Sequence, residues 1–276
     1  MEPPFAEYDA DEKAGAGATN TGSGRLRDIS VRLLVPNLIT LGAICCGLTG
    51  IRLAIENRFE LAVIAILFAA ILDGVDGRVA RLLKASTSFG EQMDSLADFV
   101  NFGVAPAMVL YLWNLSELRS FGWIIALIFA VCGCLRLARF NVMLEDENRP
   151  KWQANFFTGV PAPAGAMLGL LPIYLGLLGF DGNSDWMKVL SAIYVLTIAY
   201  LMVSNIPTWS GKTMSARVQR RWAVPLLLTI VFLLIFLFSY PWLFLTIICL
   251  GYLATIPFSV SSFKALEQQD EEATAK

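Results

Sequence analysis

Four aspartates at the ends of two apolar segments are the residues of this chain most able to do chemistry. Asp73 and Asp76 are three residues apart, and Asp94 and Asp98 are four apart. An ionised aspartate at the centre of a membrane-spanning helix costs about 2.5–3.5 kcal/mol, so four of them need a wet cavity or bound cations. Carboxylate oxygens suit hard divalent cations such as Mg²⁺, Mn²⁺ and Ca²⁺. The pattern therefore predicts a divalent-cation site.

Helical geometry predicts that these carboxylates converge. At about 100° per residue, the first aspartate pair shares a helix face with two small residues and an arginine: Gly77, Ala80 and Arg81. The next segment carries a second row at i, i+4, i+8 and i+11: Gly90, Asp94, Asp98 and Asn101. Because a short link makes the two helices antiparallel neighbours, facing carboxylates could hold two ions about 3.5–4 Å apart. A carboxylate–arginine network with small-residue helix packing is the alternative.

The composition indicates a polytopic membrane protein that must position these residues. Of 276 residues, 56% are hydrophobic and 16% are charged, with a mean hydropathy of +0.61. A soluble domain has about 45–50% apolar and about 25% charged residues. Eight apolar segments near spanning length are Leu33–Ile51, Leu61–Val79, Met93–Trp113, Gly122–Val142, Pro161–Phe180, Val189–Ile206, Val224–Phe238 and Trp242–Val260. We expect an all-α polytopic membrane protein with about eight transmembrane helices.

Lysine and arginine predict the orientation of these spans. With eight spans and both termini on one side, 17 of the 21 basic residues fall on that side and four on the other. This distribution places both termini in the cytoplasm, with the aspartates facing the cytoplasm. We expect the chain to lie in the cytoplasmic (inner) membrane. We predict a disordered N-terminal tail over residues 1–31 and a membrane domain over 32–260. A cytoplasmic tail over 261–276, disordered from Lys264 onward, follows.

Charge and residue content exclude several classes of protein. The net charge of −2 argues against a nucleic-acid binder that works through a basic surface. The chain has no histidine, so acid–base chemistry must use carboxylates, lysine, tyrosine or cysteine. All five cysteines lie in apolar stretches and are interpreted as small buried hydrophobic residues.

The aspartate pattern, D-x2-D-G-x2-A-R-x8-G-x3-D-x3-D, resembles the signature of the CDP-alcohol phosphatidyltransferases. Eight residues fill its positions: Asp73, Asp76, Gly77, Ala80, Arg81, Gly90, Asp94 and Asp98. The resemblance implies a homodimeric membrane enzyme that transfers a phosphatidyl group from a CDP-linked lipid to an alcohol and releases CMP. It implies a two-ion Mg²⁺ or Mn²⁺ site on the four aspartates, with Asp98 also acting as the base. The implied contacts to the CDP-lipid come from Asp73, Gly77, Ala80, Arg81 and Gly90.

Three further stretches resemble the branch of this family that uses L-serine as the alcohol: residues 93–106, 135–141 and 159–164. The resemblance implies CDP-diacylglycerol and L-serine as substrates, with Arg136, Arg139 and Asn141 in the serine site. The two arginines are three residues apart on one helix face and could bind the carboxylate of serine. Arginines at a cytoplasmic helix end could instead serve topology or bind lipid phosphates.

Other acceptors and another class of protein stay open at this point. Glycerol 3-phosphate and inositol phosphate are dianions and would need more basic residues around the cavity. A cation-coupled transporter would also place carboxylates within the membrane. Transporters often show inverted repeats, whereas this chain has a single aspartate cluster.

Overall fold

The computed structural model describes residues 31–85, 87–144, 156–180, 184–209 and 220–274. Nearly all of this part of the chain is helical. The α-helices are α1 (Val31–Ile55), α2 (Phe59–Leu83), α3 (Ser88–Asp98), α4 (Ala105–Trp113), α5 (Ser120–Leu144), α6 (Ala162–Gly169), α7 (Leu171–Leu177), α8 (Asp185–Val203), α9 (Arg220–Ser239) and α10 (Pro241–Thr274). A π-helix (Phe99–Val104) joins α3 to α4, and a 3₁₀ turn (Leu115–Leu118) follows α4. The predicted N-terminal tail lies outside the described residues, except for Val31.

Five helical segments of the described chain are long and apolar enough to cross a membrane: Leu34–Ile55, Ser88–Trp113, Ser120–Met143, Asp185–Val203 and Pro241–Leu266. Their outer surfaces carry large exposed apolar side chains such as Leu38, Phe121 and Tyr200. Such a surface is costly in water and favourable in lipid. These features confirm the prediction of a helical, polytopic membrane protein.

The predicted span Met93–Trp113 is a continuous run built from three helical pieces, α3, the π-helix and α4. A π-helix widens the turn by one residue and occurs often at functional sites. Asn101 lies within it, is fully buried, and packs against Gly47 of α1. Within the π-helix, Asn101 therefore faces α1.

The predicted span Pro161–Phe180 is broken into α6 and α7 at Leu170. Pro172 lies in the first turn of α7, and a proline cannot donate the backbone hydrogen bond that would continue α6. Two short strands, β1 (Phe156–Thr158) and β2 (Pro207–Trp209), form an antiparallel pair that the all-α expectation did not include.

The prediction of disorder from Lys264 onward is wrong for the described residues, because α10 continues to Thr274. This segment is rich in Ala, Glu, Gln and Lys, which are strong helix formers. The change from apolar to polar composition therefore marks the end of the membrane-spanning stretch, but it does not mark the end of α10.

The core lies among α2, α4, α5, α7, α8 and α10 around the buried side chains of Phe129, Tyr174 and Ile198. The helix pair α1 and α2 packs along its length, and α3 lies against α1. The ends of these three helices therefore meet, and the predicted aspartates lie where they do so.

Candidate active site

The four predicted aspartates converge in the structure. Oxygen atoms from Asp73, Asp76 and Asp94 all lie within 4.8 Å of one another. The carboxyl group of Asp98 lies beside that of Asp73. The convergence predicted from helical spacing is therefore confirmed.

A tight turn between α2 and α3 makes this convergence possible. Lys84 adopts a left-handed conformation with φ of 50°, and its N–H reaches back to carbonyls of the last turn of α2. Thr87 caps α3, its hydroxyl accepting a hydrogen bond from Gly90 N–H at 3.0 Å. Left-handed C-caps and threonine N-caps are standard ways to end and to begin helices. The chain therefore reverses within a few residues and brings the two aspartate pairs together.

Asp76 is held by two hydrogen bonds. The Thr40 hydroxyl of α1 donates to Asp76 Oδ2 at 2.6 Å, and the Gly77 N–H donates to Asp76 Oδ1 at 2.5 Å. Only 3% of Asp76 is exposed. These bonds fix the carboxylate in one orientation before any ligand arrives.

Asp73 differs, because its Oδ1 is buried and has no hydrogen-bond partner among the described residues. A buried polar atom without a partner costs about 1–3 kcal/mol. Three converging carboxylates, one with a free oxygen, form the oxygen-only donor set that a hard divalent cation prefers. The residues present thus fit such an ion.

A cavity of about 120 Å³ opens beside these aspartates. Its lining residues come from α1, α2, α3 and the turn between α2 and α3: Pro36, Asn37, Thr40, Asp76, Gly77, Ala80, Ala85, Thr87, Gly90, Glu91 and Asp94. A Cβ built on Gly77 would meet no heavy atom within 4 Å. Helix packing therefore does not require glycine at this position, while a ligand lying on the helix backbone would.

Five residues of the predicted signature, including Gly77, Ala80 and Gly90, line this cavity. Arg81 does not line it. The Arg81 Nε donates to the Gly77 carbonyl at 3.1 Å, and the side chain lies on the exposed surface of α2. The guanidinium is therefore anchored at the carbonyl of Gly77, one helical turn before Arg81.

Three residues of α1 complete the cavity and were missed by the sequence analysis: Pro36, Asn37 and Thr40. One signal could have found them. Asn37 and Thr40 are polar residues one helical turn apart in a largely apolar span, and polar side chains within a span often face an interior or a cavity.

A second cavity, of about 210 Å³, contains Asp98 and Arg136. Its other lining residues are Leu137, Phe140, Phe157, Pro161, Ala162 and Pro163. Only 3% of Arg136 is exposed; its Nε donates to the Val160 carbonyl at 3.0 Å, and its Nη1 has no hydrogen-bond partner among the described residues. A buried cation with a free donor is poised for an anionic group. The cavity is thus lined both by a carboxylate that could accept a proton, Asp98, and by a guanidinium that could bind a negatively charged group, Arg136.

Arg139 and Asn141 were predicted to share this site, but neither is among the described residues that line the cavity. Both terminal nitrogens of Arg139 donate to backbone or side-chain oxygens at the end of α8. The Asn141 Nδ2 donates to Ser95 Oγ at 3.1 Å, which joins α5 to α3. The structure therefore separates Arg136 from its two predicted partners.

Comparison with known proteins agrees with this geometry. The family model for CDP-alcohol phosphatidyltransferase matches residues 33–203, and the model for CDP-alcohol phosphatidyltransferase 2 matches residues 221–257. The chain is 40% identical to the CDP-diacylglycerol–serine O-phosphatidyltransferase of Mycobacterium tuberculosis over 247 residues, which cover 89% of this chain and 84% of that protein.

Two further relatives carry the same name. The protein from Mycobacterium leprae is 40% identical over 247 residues, covering 89% of this chain and 80% of the relative. The protein from Bacillus subtilis is 37% identical over 172 residues, covering 62% of this chain and 88% of the relative. The residues that line both cavities all lie within 33–203, the range that matches the CDP-alcohol phosphatidyltransferase family model.

Proposed function

The chain belongs to the CDP-alcohol phosphatidyltransferase family, and on that premise we propose that it transfers the phosphatidyl group of CDP-diacylglycerol to the hydroxyl of L-serine. The products are phosphatidylserine and CMP. One observation carries the choice of acceptor within the molecule: a single cavity holds both Asp98 and the buried Arg136. Serine has a hydroxyl to deprotonate and a carboxylate to hold, and this cavity presents one group for each. The names of the relatives support the same choice.

The proposed cofactor is a divalent cation, Mg²⁺ or Mn²⁺, with two ions held by Asp73, Asp76, Asp94 and Asp98. The close oxygens of the first three and the free Oδ1 of Asp73 support this assignment. When bound, the ions would supply positive charge against the pyrophosphate of the substrate. Four nearby carboxylates are otherwise destabilised by mutual repulsion and burial.

The proposed nucleotide site is the cavity beside Gly77, with the CDP-lipid contacted by Asp73, Gly77, Ala80, Arg81 and Gly90. The open space above Gly77 supports this placement. Arg81 is outside the cavity lining, but its Nε is bonded to the Gly77 carbonyl, from where its guanidinium would present charge to a phosphate. The acyl chains would remain in the surrounding lipid, since the outer faces of the helices are apolar.

In the proposed reaction, Asp98 takes the proton of the serine hydroxyl and Arg136 holds the serine carboxylate. The hydroxyl oxygen then forms a bond to the phosphorus that bears diacylglycerol, and the bond from that phosphorus to CMP breaks. Asp98 lies beside Asp73 and also lines the cavity of Arg136, so one residue joins the two halves of the site. Positioning and electrostatics supply most of the catalysis in such displacements.

The proposed topology has eight spans, cytoplasmic termini and an active site that faces the cytoplasm from the inner membrane. The 17 to 4 split of basic residues supports it. The shorter apolar helices Ala162–Leu177 and Val224–Ser239, together with α2, would supply the spans beyond the five long ones. The homodimer implied by the family stays a prediction.

The test is an assay of the purified chain in detergent micelles with CDP-diacylglycerol, Mn²⁺ and a panel of alcohols. With L-serine, we expect CMP and phosphatidylserine in equal amounts. Turnover with glycerol 3-phosphate or inositol phosphate but not with serine would refute the acceptor. Absence of CMP release with every alcohol would refute the transferase activity, since a transporter has no reaction to perform in micelles.

A further inference from the structure

We propose that Arg139 is a positioning residue for the acceptor cavity and that it does not contact the acceptor. It holds the segment Phe156–Pro161, here named the acceptor loop, through the end of α8. Arg136 is then the arginine that reads the acceptor's negative charge. This inference rests on the proposed function, because it assigns a role in the acceptor site of the same reaction.

The guanidinium of Arg139 is committed to the C-terminal end of α8. Its Nη2 donates to the Val203 carbonyl at 2.6 Å, and its Nη1 donates to the Ser204 carbonyl at 3.3 Å and to Asn205 Oδ1 at 2.9 Å. The last carbonyls of a helix have no partner within the helix, and a cation there also opposes the helix dipole. Both prongs of the arginine fork are therefore bonded to α8, and a carboxylate would have to displace them.

The acceptor loop is fastened to the same end of α8 and to β2. Gly159 N–H donates to the Ile206 carbonyl at 2.8 Å, and Val160 N–H donates to the Leu201 carbonyl at 3.1 Å. The Thr208 hydroxyl donates to the Gly159 carbonyl at 2.8 Å. These bonds fix the loop on both sides of Gly159.

Gly159 shows how close this approach is. Its φ is +75°, and a Cβ at this position would lie 2.7 Å from two backbone carbonyl oxygens, those of Met202 and Ser204. Backbone atoms of a helix end cannot move aside cheaply, and φ above zero disfavours side chains. Glycine therefore lets the acceptor loop dock directly onto the end of α8 that Arg139 holds, including the Ser204 carbonyl that Arg139 itself bonds.

The other side of the acceptor loop forms the cavity. Phe157 and Pro161 line it, and the Val160 carbonyl accepts the hydrogen bond from Arg136 Nε at 3.0 Å. A shift of the loop would therefore move the cavity wall and the guanidinium of Arg136 as one unit, so that the guanidinium keeps its place in the wall while either acceptor is displaced from Asp98. Arg139 acts on the acceptor through this chain of contacts, whereas the cation site lies on α2 and α3.

The test compares Arg139→Gln with Arg136→Gln, and uses Arg52→Gln as a control for loss of an exposed arginine. The KM is measured for serine, for serinol, which lacks the carboxylate, and for CDP-diacylglycerol. We expect Arg139→Gln to raise the KM of serine and of serinol by the same factor, about tenfold, as loss of one charge-assisted hydrogen bond would do. Its preference for serine over serinol and its KM for CDP-diacylglycerol should stay at wild-type values. Arg136→Gln should lose the preference.

Two outcomes would overturn the inference while the wild-type chain still makes phosphatidylserine. If Arg139→Gln loses the preference as Arg136→Gln does, Arg139 reads the carboxylate. If Arg139→Gln lowers thermal stability but leaves both acceptor KM values unchanged, its role is structural only. A wild-type chain that makes no phosphatidylserine would instead overturn the proposed function, and this inference with it.

A second pair of variants tests the acceptor loop without changing either arginine. Thr208→Val keeps the shape of a buried β-branched side chain and removes the bond to Gly159. We expect it to raise the KM of serine and serinol equally, and we expect Thr208→Ser to restore both. If Thr208→Val binds both acceptors as the wild type does, the acceptor loop does not control the cavity. This pair also decides the matter if Arg139→Gln does not fold.

Discussion

Thr40 on α1 should control the affinity of the aspartate cluster for its cation, although it belongs to a different helix. Its hydroxyl donates to Asp76 Oδ2 at 2.6 Å, and only 4% of Thr40 is exposed. The substitution Thr40→Val keeps the β-branched shape and removes the hydrogen bond. Asp76 would keep only the bond from the Gly77 N–H, at 2.5 Å.

The expected change in Mn²⁺ affinity follows from the loss of one of the two hydrogen bonds to the Asp76 carboxylate. A hydrogen bond to a charged group contributes about 1.5–3 kcal/mol, which corresponds to about 10- to 150-fold at about 1.4 kcal/mol per factor of ten. Partners that orient metal-binding carboxylates typically change metal affinity by about 10- to 100-fold. We therefore expect the Kd for Mn²⁺ to rise about 10- to 100-fold in Thr40→Val, because a carboxylate held by one bond instead of two must be ordered further when the ion binds.

The assay is a Mn²⁺ titration of the purified protein in micelles, with free Mn²⁺ followed by electron paramagnetic resonance. This readout needs no turnover. Thr40→Ser keeps the hydroxyl and should bind Mn²⁺ nearly as the wild type does. The matched control is Thr49→Val on the same helix, where the exposed hydroxyl donates to the Cys45 carbonyl at 2.6 Å. It removes the same kind of bond that Thr40 also makes to the Pro36 carbonyl, at 3.1 Å, without touching Asp76, and should leave Mn²⁺ affinity unchanged.

The reasoning would be refuted if Thr40→Val bound Mn²⁺ within about twofold of the wild type, since a lost bond of this kind should cost more. It would also be refuted if Thr40→Val and Thr49→Val weakened binding equally. That result would mean that the effect comes from α1 as a whole and not from the bond to Asp76.

Two further predictions concern the cation and the nucleotide. Asp73→Asn and Asp94→Asn should each abolish CMP release while leaving a folded protein, since each substitution removes a buried charge. EDTA should abolish turnover by the wild type. Full activity in excess EDTA or in either variant would contradict the cation assignment. Gly77→Leu should weaken binding of CMP at least tenfold, roughly the effect of losing 1.4 kcal/mol, and should preserve Mn²⁺ affinity. Gly74→Leu is its control, because Gly74 is equally free of neighbours but does not line the cavity, so equal CMP binding by the two variants would assign Gly77 to another role.

The convergence of the aspartates could be predicted from the sequence because it depends on local geometry. Residues three or four apart share a helix face whatever the rest of the chain does, and a short link between two helices makes them antiparallel neighbours. These two rules were sufficient to predict that the aspartates of α2, Asp73 and Asp76, meet those of α3, Asp94 and Asp98. The membrane class followed from composition for a similar reason, since apolar length is a property of the chain alone.

The partners of these residues depended on contacts between distant parts of the chain. Thr40 reaches Asp76 across 36 positions, and no periodicity within one segment specifies which helix will pack against it. The boundaries of the helices also depended on context. The π-helix within Ser88–Trp113 has no sequence signal that the hydropathy of a span could show.

Arg136 and Arg139 mark the division most clearly. Their spacing placed both on one face of a helix, and that was all it could determine, because a helix face spans about 100°. In the structure, one guanidinium enters the cavity of Asp98 and the other ends at the last carbonyls of α8, 64 to 66 residues away. Side-chain spacing therefore determined which residues lie together on a helix. Only the packing of α8 and the acceptor loop against that helix decided which arginine remains free to bind a ligand, because a hydrogen-bond donor already paired with a backbone carbonyl must break that bond before it can bind anything else.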